Sequence, residues 1–130
     1  MAAFVDTSAL LAILDSDDRH HAEASAAWSR LVEGNRPIHT TNYVVIETIS
    51  LLHHRFGVEA VRLLVNDLLA VVTVHWVEEA AHAAGVSAVI AGGRTGPSLV
   101  DCVSFVVIGR LRLPSVLAFD RHFTERGFSF

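Results

Sequence analysis

The chain has 130 residues, 52% of them hydrophobic, and a formal net charge of −4 at neutral pH. This length predicts one domain with a substantial core, and no apolar stretch reaches the roughly 18 to 20 residues that span a bilayer. The composition therefore argues against a membrane protein, and the acidic balance argues against a generic binder of phosphate backbones, which would usually be basic.

The start of the chain and its single cysteine predict the compartment. The segment MAAFVDTSALL has no basic region and carries Asp6 within its apolar run, so it predicts no export signal. Cys102 alone excludes an internal disulfide and a multi-thiolate zinc site. Together these features predict a cytoplasmic protein. The surplus of apolar residues predicts a subunit contact or a groove for a partner helix.

Short β runs alternate with longer helical runs along the chain. The predicted strands cover residues 2–6, 37–40, 71–74 and 115–119. The predicted helices cover residues 7–14, 22–33, 42–56, 58–69, 78–91 and 98–111, and the clearest loop is GGRTGPS. This alternation predicts a single α/β domain over residues 1–130 with a mostly parallel sheet.

Four carboxylates lie in apolar surroundings, where an acid is costly unless it is paired, hydrogen-bonded or bound to a cation. They are Asp6 in FVDTSAL, Glu47 in NYVVIETISLL, Asp101 in SLVDCVSFVVIG and Asp120 in SVLAFDRHF. Asp6 and Asp120 follow predicted strands, and Glu47 and Asp101 fall in what we predict as the first turns of helices. Ligands of open α/β sheets gather at the carboxyl ends of strands, so we expect the four acids to share one pocket.

Three of these acids also have a purely local interpretation. Asp6 can cap the helix that follows it, and Asp120 can be a turn residue after a strand. Asp101 stands three residues after Ser98, which makes SLVD resemble a capping box. Glu47 differs, because its neighbours three and four positions away are largely apolar and leave a solvated face improbable.

A pocket of carboxylates suits Mg²⁺ or Mn²⁺ better than zinc. The eight histidines form no HExxH or Cys/His pattern, which argues against a histidine metal site. A hard cation held by oxygen ligands polarises a phosphodiester and lowers the pKa of a bound water. GRTG lacks the ending of a phosphate-binding P-loop, so the sequence favours metal-dependent phosphodiester cleavage.

The chain resembles the PIN domain family, and more narrowly the ribonuclease toxins of VapBC-type toxin–antitoxin pairs. The likeness rests on four segments in order, FVDTSALLAIL, TNYVVIETISLL, SLVDCVSFVVIGRL and VLAFDRHFTERGF, and extends from Val5 to Phe128. It implies a three-layer α/β/α fold with a central, mostly parallel sheet and a Mg²⁺- or Mn²⁺-dependent endoribonuclease activity. By motif matching, the four acids take the family's catalytic and metal-binding positions.

The resemblance also implies supporting residues and partners. Thr7 or Ser8 matches a hydroxyl position that helps to orient the first acid or its water. Toxins of this kind usually dimerise, and they are silenced by an antitoxin whose segment occupies an apolar groove. The chain is less basic than many RNA-cutting proteins, which leaves a weak, local or dimer-dependent grip on RNA open. The alternative is a catalytically weak relative that binds RNA or a protein helix without cutting.

Overall fold

The computed structural model describes all residues, 1–130, and contains a four-stranded sheet in which every strand pair is parallel. The spatial order is β3-β2-β1-β4. The strands are β1 Ala3–Val5, β2 Ile38–Thr41, β3 Val72–His75 and β4 Ser115–Leu117. The predicted α/β class and parallel sheet are confirmed.

Seven α-helices connect and flank these strands. They are α1 Thr7–Leu14, α2 His21–Glu33, α3 Asn42–Phe56, α4 Val58–Leu63, α5 Glu79–Gly92, α6 Leu99–Leu111 and α7 Arg121–Glu125. Crossovers between parallel strands are right-handed, so the helices between β1 and β3 cover one face and α5 and α6 cover the other. Both faces of β1 are accordingly buried along its whole length, and the three-layer arrangement is confirmed.

The strand order reverses between β1 and β4. The chain moves outward from β1 through β2 to β3 and then returns, across the sheet, to place β4 on the other side of β1. Residues that follow β1 and β4 therefore leave the sheet beside each other at its carboxyl edge. This is the position at which open α/β sheets bind their ligands.

One hydrophobic core joins the layers. Its fully buried side chains include Phe4 of β1, Leu10 of α1, Leu52 of α3 and Phe123 of α7. Phe105 meets the Phe123 ring edge to face, with ring centres 4.9 Å apart. Phe123 thus ties the C-terminal segment to the core, and the short helix α7 that carries it is not among the predicted helices.

Two predictions of local structure need correction. The helix predicted over 58–69 ends at Leu63, and the chain continues in a π-helical turn, Leu64–Leu68, and a 3₁₀ turn, Leu69–Val71. The buried Leu64 lies at this change of pitch, and such turns need side-chain packing that composition does not reveal. Glu47 lies in the second turn of α3, which begins at Asn42, instead of the first. No helix of the structure has the length and apolar character that crossing a membrane requires.

Candidate active site

All four predicted acids line one cavity of about 470 Å³. The cavity opens beside the carboxyl ends of β1 and β4, and α3 and α6 supply its other walls. Its full lining is Asp6, Thr7, Ser8, Leu11, Glu47, Leu51, Gly96, Ser98, Asp101, Asp120 and His122. The structure thus brings together four acids that are separated by up to 114 positions in the sequence.

Asp6 is the most buried of the four, with only 3% of its surface exposed. It follows β1 directly and caps α1, because its Oδ2 accepts the Ser8 N–H at 3.2 Å. The Ser8 hydroxyl donates to the same oxygen at 3.0 Å. The other oxygen, Oδ1, is buried without any hydrogen-bond partner. An unpartnered buried carboxylate oxygen is costly, so this atom points to a missing positive partner.

Burial and crowding raise the pKa of two of the acids. Burial first, and then the negative charge of Asp101, raise the pKa of Asp6 from 3.8 to about 7, against the hydrogen bonds from Ser8 that lower it. The pKa of Asp101 is also raised, by burial first and then by the charges of Asp120 and Glu47. These couplings show that the four carboxylates share one electrostatic environment.

Two more of the acids cap helices while they line the cavity. Asp101 and Ser98 form a reciprocal capping box at the start of α6, with Ser98 Oγ accepting the Asp101 N–H at 3.1 Å. Asp120 caps α7, because its Oδ1 accepts the His122 N–H at 2.8 Å. Each of these caps uses one oxygen of its carboxylate. Local capping and a shared site are therefore compatible at the same residue.

Glu47 reaches the cavity from α3 and is partly exposed. Its helix is oriented by a cap at Thr41, whose hydroxyl accepts the Val44 N–H at 3.2 Å. The apolar surroundings that mark Glu47 in the sequence are the flank of α3 that packs on the core, where Val44 and Thr48 are fully buried.

The two candidate hydroxyls face different ways. Ser8 bridges Asp6 and the loop after β4, because the Phe119 N–H donates to Ser8 Oγ at 2.9 Å. The Thr7 hydroxyl instead donates to the Val44 carbonyl at 3.4 Å and lies 3.1 Å from the Thr48 hydroxyl. Ser8 therefore orients Asp6, whereas Thr7, within the cavity wall, joins α1 to α3.

The donor set fits a hard divalent cation, on the evidence of the unpartnered Asp6 Oδ1 in an all-oxygen cavity. No three His, Cys, Asp or Glu side chains are close enough together to form a direct ligand group. Mg²⁺ does not require one, because it usually keeps several waters and takes one or two carboxylates directly. Asp6 would hold such an ion directly through Oδ1, and the other acids of the cavity lining would complete its oxygen surroundings.

The sequence interpretation missed a second cavity that adjoins this one. A space of about 300 Å³ shares Ser8, Leu11 and Asp120 with the acidic cavity and adds Asp18, Arg19, His20 and Phe119. Arg19 and His20 lie in the loop between α1 and α2, where no periodic pattern marks them. Phe119 lies beside His20 only because the chain places β4 next to β1 in the sheet, so no pattern in the sequence predicts this pairing.

Known proteins are similar to this chain over nearly its whole length. The family model of the PIN domain matches residues 3–129. The chain is 30% identical over 128 residues to the 23S rRNA-specific endonuclease VapC20 of Mycobacterium tuberculosis, a match that covers 96% of this chain and 94% of that protein.

Solved structures are also similar. The crystal structure of Mycobacterium tuberculosis VapC20, described as a sarcin–ricin loop cleaving toxin, has a TM-score of 0.83 at 30% identity, covering 97% of this chain and 95% of that one. VapBC2 from Rickettsia felis, solved with a DNA fragment from its promoter, has a TM-score of 0.71 at 9% identity, covering 96% and 92%. The second likeness shows the fold alone.

Proposed function

The chain belongs to the PIN domain family of nucleases, which act on phosphodiester bonds and generally use a divalent metal ion, and from this membership and its acidic cavity we propose that it is a Mg²⁺- or Mn²⁺-dependent endoribonuclease. The observation that carries the proposal is the buried, unpartnered Oδ1 of Asp6 in a cavity that three further carboxylates line. A purely structural role gives no reason to bury that oxygen beside other negative charges.

In this proposal the four acids Asp6, Glu47, Asp101 and Asp120 are the catalytic and metal-binding residues, with Asp6 the direct ligand. The bound cation supplies the polarisation of the phosphodiester and the acidification of a water. Asp6 is held for this task by two hydrogen bonds from Ser8, and α6 presents Asp101 from a capped first turn. Thr7 is part of the cavity wall, where it fixes α1 against α3.

RNA is the proposed substrate. The relative with 30% identity is named for 23S rRNA, and its structure carries the description of a toxin that cleaves the sarcin–ricin loop. Ribosomal RNA is therefore the first substrate to test with this chain.

We also propose that the chain is the toxin of a toxin–antitoxin pair, that an antitoxin protein silences it, that it forms a homodimer and that it acts in the cytoplasm. Large apolar side chains on the surface support protein partners. Trp76 is 77% exposed, Ile90 76% and Ile46 59%, and exposed apolar residues of this size favour protein contacts when they cluster.

Cleavage of purified ribosomal RNA tests the proposal. The wild type should cut with Mg²⁺ or Mn²⁺ and stop with a chelator. Asp101→Asn and Glu47→Gln should each lower the rate by roughly 10- to 100-fold or more, since groups that orient a metal or its waters contribute on this scale. Asp67→Asn, an exposed acid outside the cavity, is the charge-matched control and should cut like the wild type.

Two outcomes would contradict the proposal. Cleavage that resists a chelator would show that the reaction needs no metal ion. Equal cleavage rates for Asp101→Asn and the wild type would show that the acidic cavity is not the active site. If no RNA is cut but RNA still binds, the alternative of a binding module takes its place.

A further inference from the structure

We propose that the cavity beside the acidic one is a subsite for an unpaired nucleotide that flanks the scissile phosphate, with its base extending the stacked His20–Phe119 ring pair and its phosphate held by Arg19. This inference rests on the proposed function for the identity of the ligand as RNA. The cavity is about 300 Å³ and shares Ser8, Leu11 and Asp120 with the acidic cavity, so one strand can occupy both.

An aromatic platform forms one wall. The His20 and Phe119 rings stack with centres 4.4 Å apart and planes 10° from parallel, and both residues are half-buried at the cavity wall. Aromatic side chains of this kind hold single-stranded nucleic acid because every base has a flat π face. The platform comes from two segments about 100 positions apart in the sequence, which only the folded chain brings together.

Arg19 is the only arginine or lysine that lines either cavity. It forms no salt bridge, and its one hydrogen bond is from Nε to His20 Nε2 at 3.2 Å. The remaining guanidinium donors are free for a phosphate, which a guanidinium binds in a bidentate way. A substrate phosphate that approaches four carboxylates needs such a cation nearby, since the chain as a whole is negative.

The loop that carries these groups is already fixed. The His20 N–H donates to Asp18 Oδ1 at 2.8 Å, and the Asp18 N–H donates to the Asp15 carbonyl at 3.0 Å. The His21 ring is anchored through Nδ1 to the Ala12 carbonyl at 2.7 Å. Asp18 adds a negative charge to the wall, which Arg19 offsets. A fixed loop does not have to be ordered on binding, which favours affinity.

The platform is also connected to the site of chemistry. The Phe119 N–H donates to Ser8 Oγ, and the Ser8 hydroxyl donates to Asp6 Oδ2. A base stacked on the His20–Phe119 pair is therefore connected to Asp6, the acid with the unpartnered oxygen, through the two hydrogen bonds of Ser8. We infer that occupation of this subsite sets the register of the strand relative to Asp6.

The test measures binding separately from cleavage. The probe is a short fluorescent oligoribonucleotide, titrated by anisotropy against protein that carries Asp6→Asn to prevent cutting. Adding His20→Ala should weaken binding roughly tenfold, the usual effect of removing one stacking platform, and His20→Phe should restore it. With a fully abasic oligomer of the same length and charge, His20→Ala should change nothing.

Arg19→Ala should also weaken binding, and it should reduce the slope of log affinity against log salt by about 0.7, the value for one phosphate contact on a single strand. His54→Ala and Arg62→Ala, exposed residues that line neither cavity, are the matched controls and should bind like the parent. Thermal melts of each variant separate lost binding from lost folding.

The subsite proposal is contradicted if the His20→Ala and Arg19→Ala proteins bind the RNA as tightly as the parent. It is also contradicted if His20→Ala weakens binding of the abasic oligomer as much as binding of the RNA. Wild-type cleavage of RNA together with either result leaves the endoribonuclease proposal intact. Conversely, RNA binding that depends on Arg19 and His20, together with a wild-type protein that cleaves no RNA, supports the subsite and contradicts the endoribonuclease proposal.

Discussion

Replacing Asp6 with asparagine should stabilise the metal-free protein at neutral and alkaline pH. The pKa of Asp6 is about 7 in the folded chain, against 3.8 for an unperturbed aspartate, chiefly because of burial and then because of Asp101. Since the folded pKa is raised, the contribution of Asp6 to stability is fully present below pH 3.8 and is lost as the pH rises to about 7.

The magnitude follows from the two pKa values. Ionising Asp6 in the folded chain costs about 4 kcal/mol above pH 7 relative to the unfolded chain. Asparagine removes this cost and keeps an oxygen that can accept the Ser8 N–H. The amide NH₂ of asparagine takes the place of the unpartnered oxygen and has no acceptor. This unsatisfied donor reduces the gain in the free energy of unfolding by roughly 1 to 2 kcal/mol. We expect a net gain of about 2 to 3 kcal/mol at about pH 8.

Urea denaturation of both proteins with a chelator present, over a series of pH values, measures this difference. The advantage of Asp6→Asn should be small or reversed near pH 4 and should grow until about pH 7. Adding Mg²⁺ should stabilise the wild type and narrow the gap, because a ligand that binds only the folded state stabilises it.

Asp67→Asn, on an exposed turn, is the control and should stay within roughly 0.5 kcal/mol of the wild type at every pH. An Asp6→Asn protein whose stability difference from the wild type is constant over the whole pH range would refute the reasoning. That result would mean that ionising Asp6 costs no more in the folded protein than in the unfolded chain.

Further predictions concern packing and the serine bridge. Gly85→Ala should destabilise the protein by roughly 1 to 3 kcal/mol, because its methyl group would lie 2.5 Å from Val103 Cγ2 where α5 meets α6. Gly109→Ala in α6 meets nothing within 4 Å and should stabilise it by roughly 0.5 to 1 kcal/mol, so denaturation of the pair should give opposite signs. Ser8→Ala removes two hydrogen bonds and should lower stability by roughly 1 to 3 kcal/mol. The same variant should lower RNA cleavage, because the orientation of Asp6 is lost; unchanged cleavage would contradict the role of the serine.

Much of the fold could be predicted because local signals coincide with its boundaries. The predicted helix over 7–14 matches α1, and the helix over 42–56 matches α3, since each begins after a capping side chain and the second ends at Gly57. The π-helical turn Leu64–Leu68 could not be predicted, because its apolar pattern is also that of an α-helix. Its pitch depends on how Leu64 packs in the core.

The site was predictable as a set of residues but not as a geometry. Burial of an acid is suggested by apolar neighbours in the sequence, and this identified all four acidic side chains that line the cavity. Which oxygen of Asp6 lacks a partner depends on Ser8 and on a bond from Phe119, 111 positions away from it. The pairing of His20 with Phe119 depends on the same long-range return of β4.

Helix capping by three of the acids and their convergence on one cavity are compatible, because capping occupies only one oxygen of each carboxylate. A carboxylate that caps a helix has one oxygen bonded to a backbone N–H at the start of that helix, so its second oxygen is held in place before any cation arrives. At Asp6 the serine bonds hold Oδ2 and leave Oδ1 buried and unpaired. The burial and then the crowding that raise the pKa values of Asp6 and Asp101 are a strain on the folded, metal-free chain. In the proposed function a divalent ion would relieve this strain on binding, and the three capping carboxylates that converge on one cavity would be arranged for it in advance.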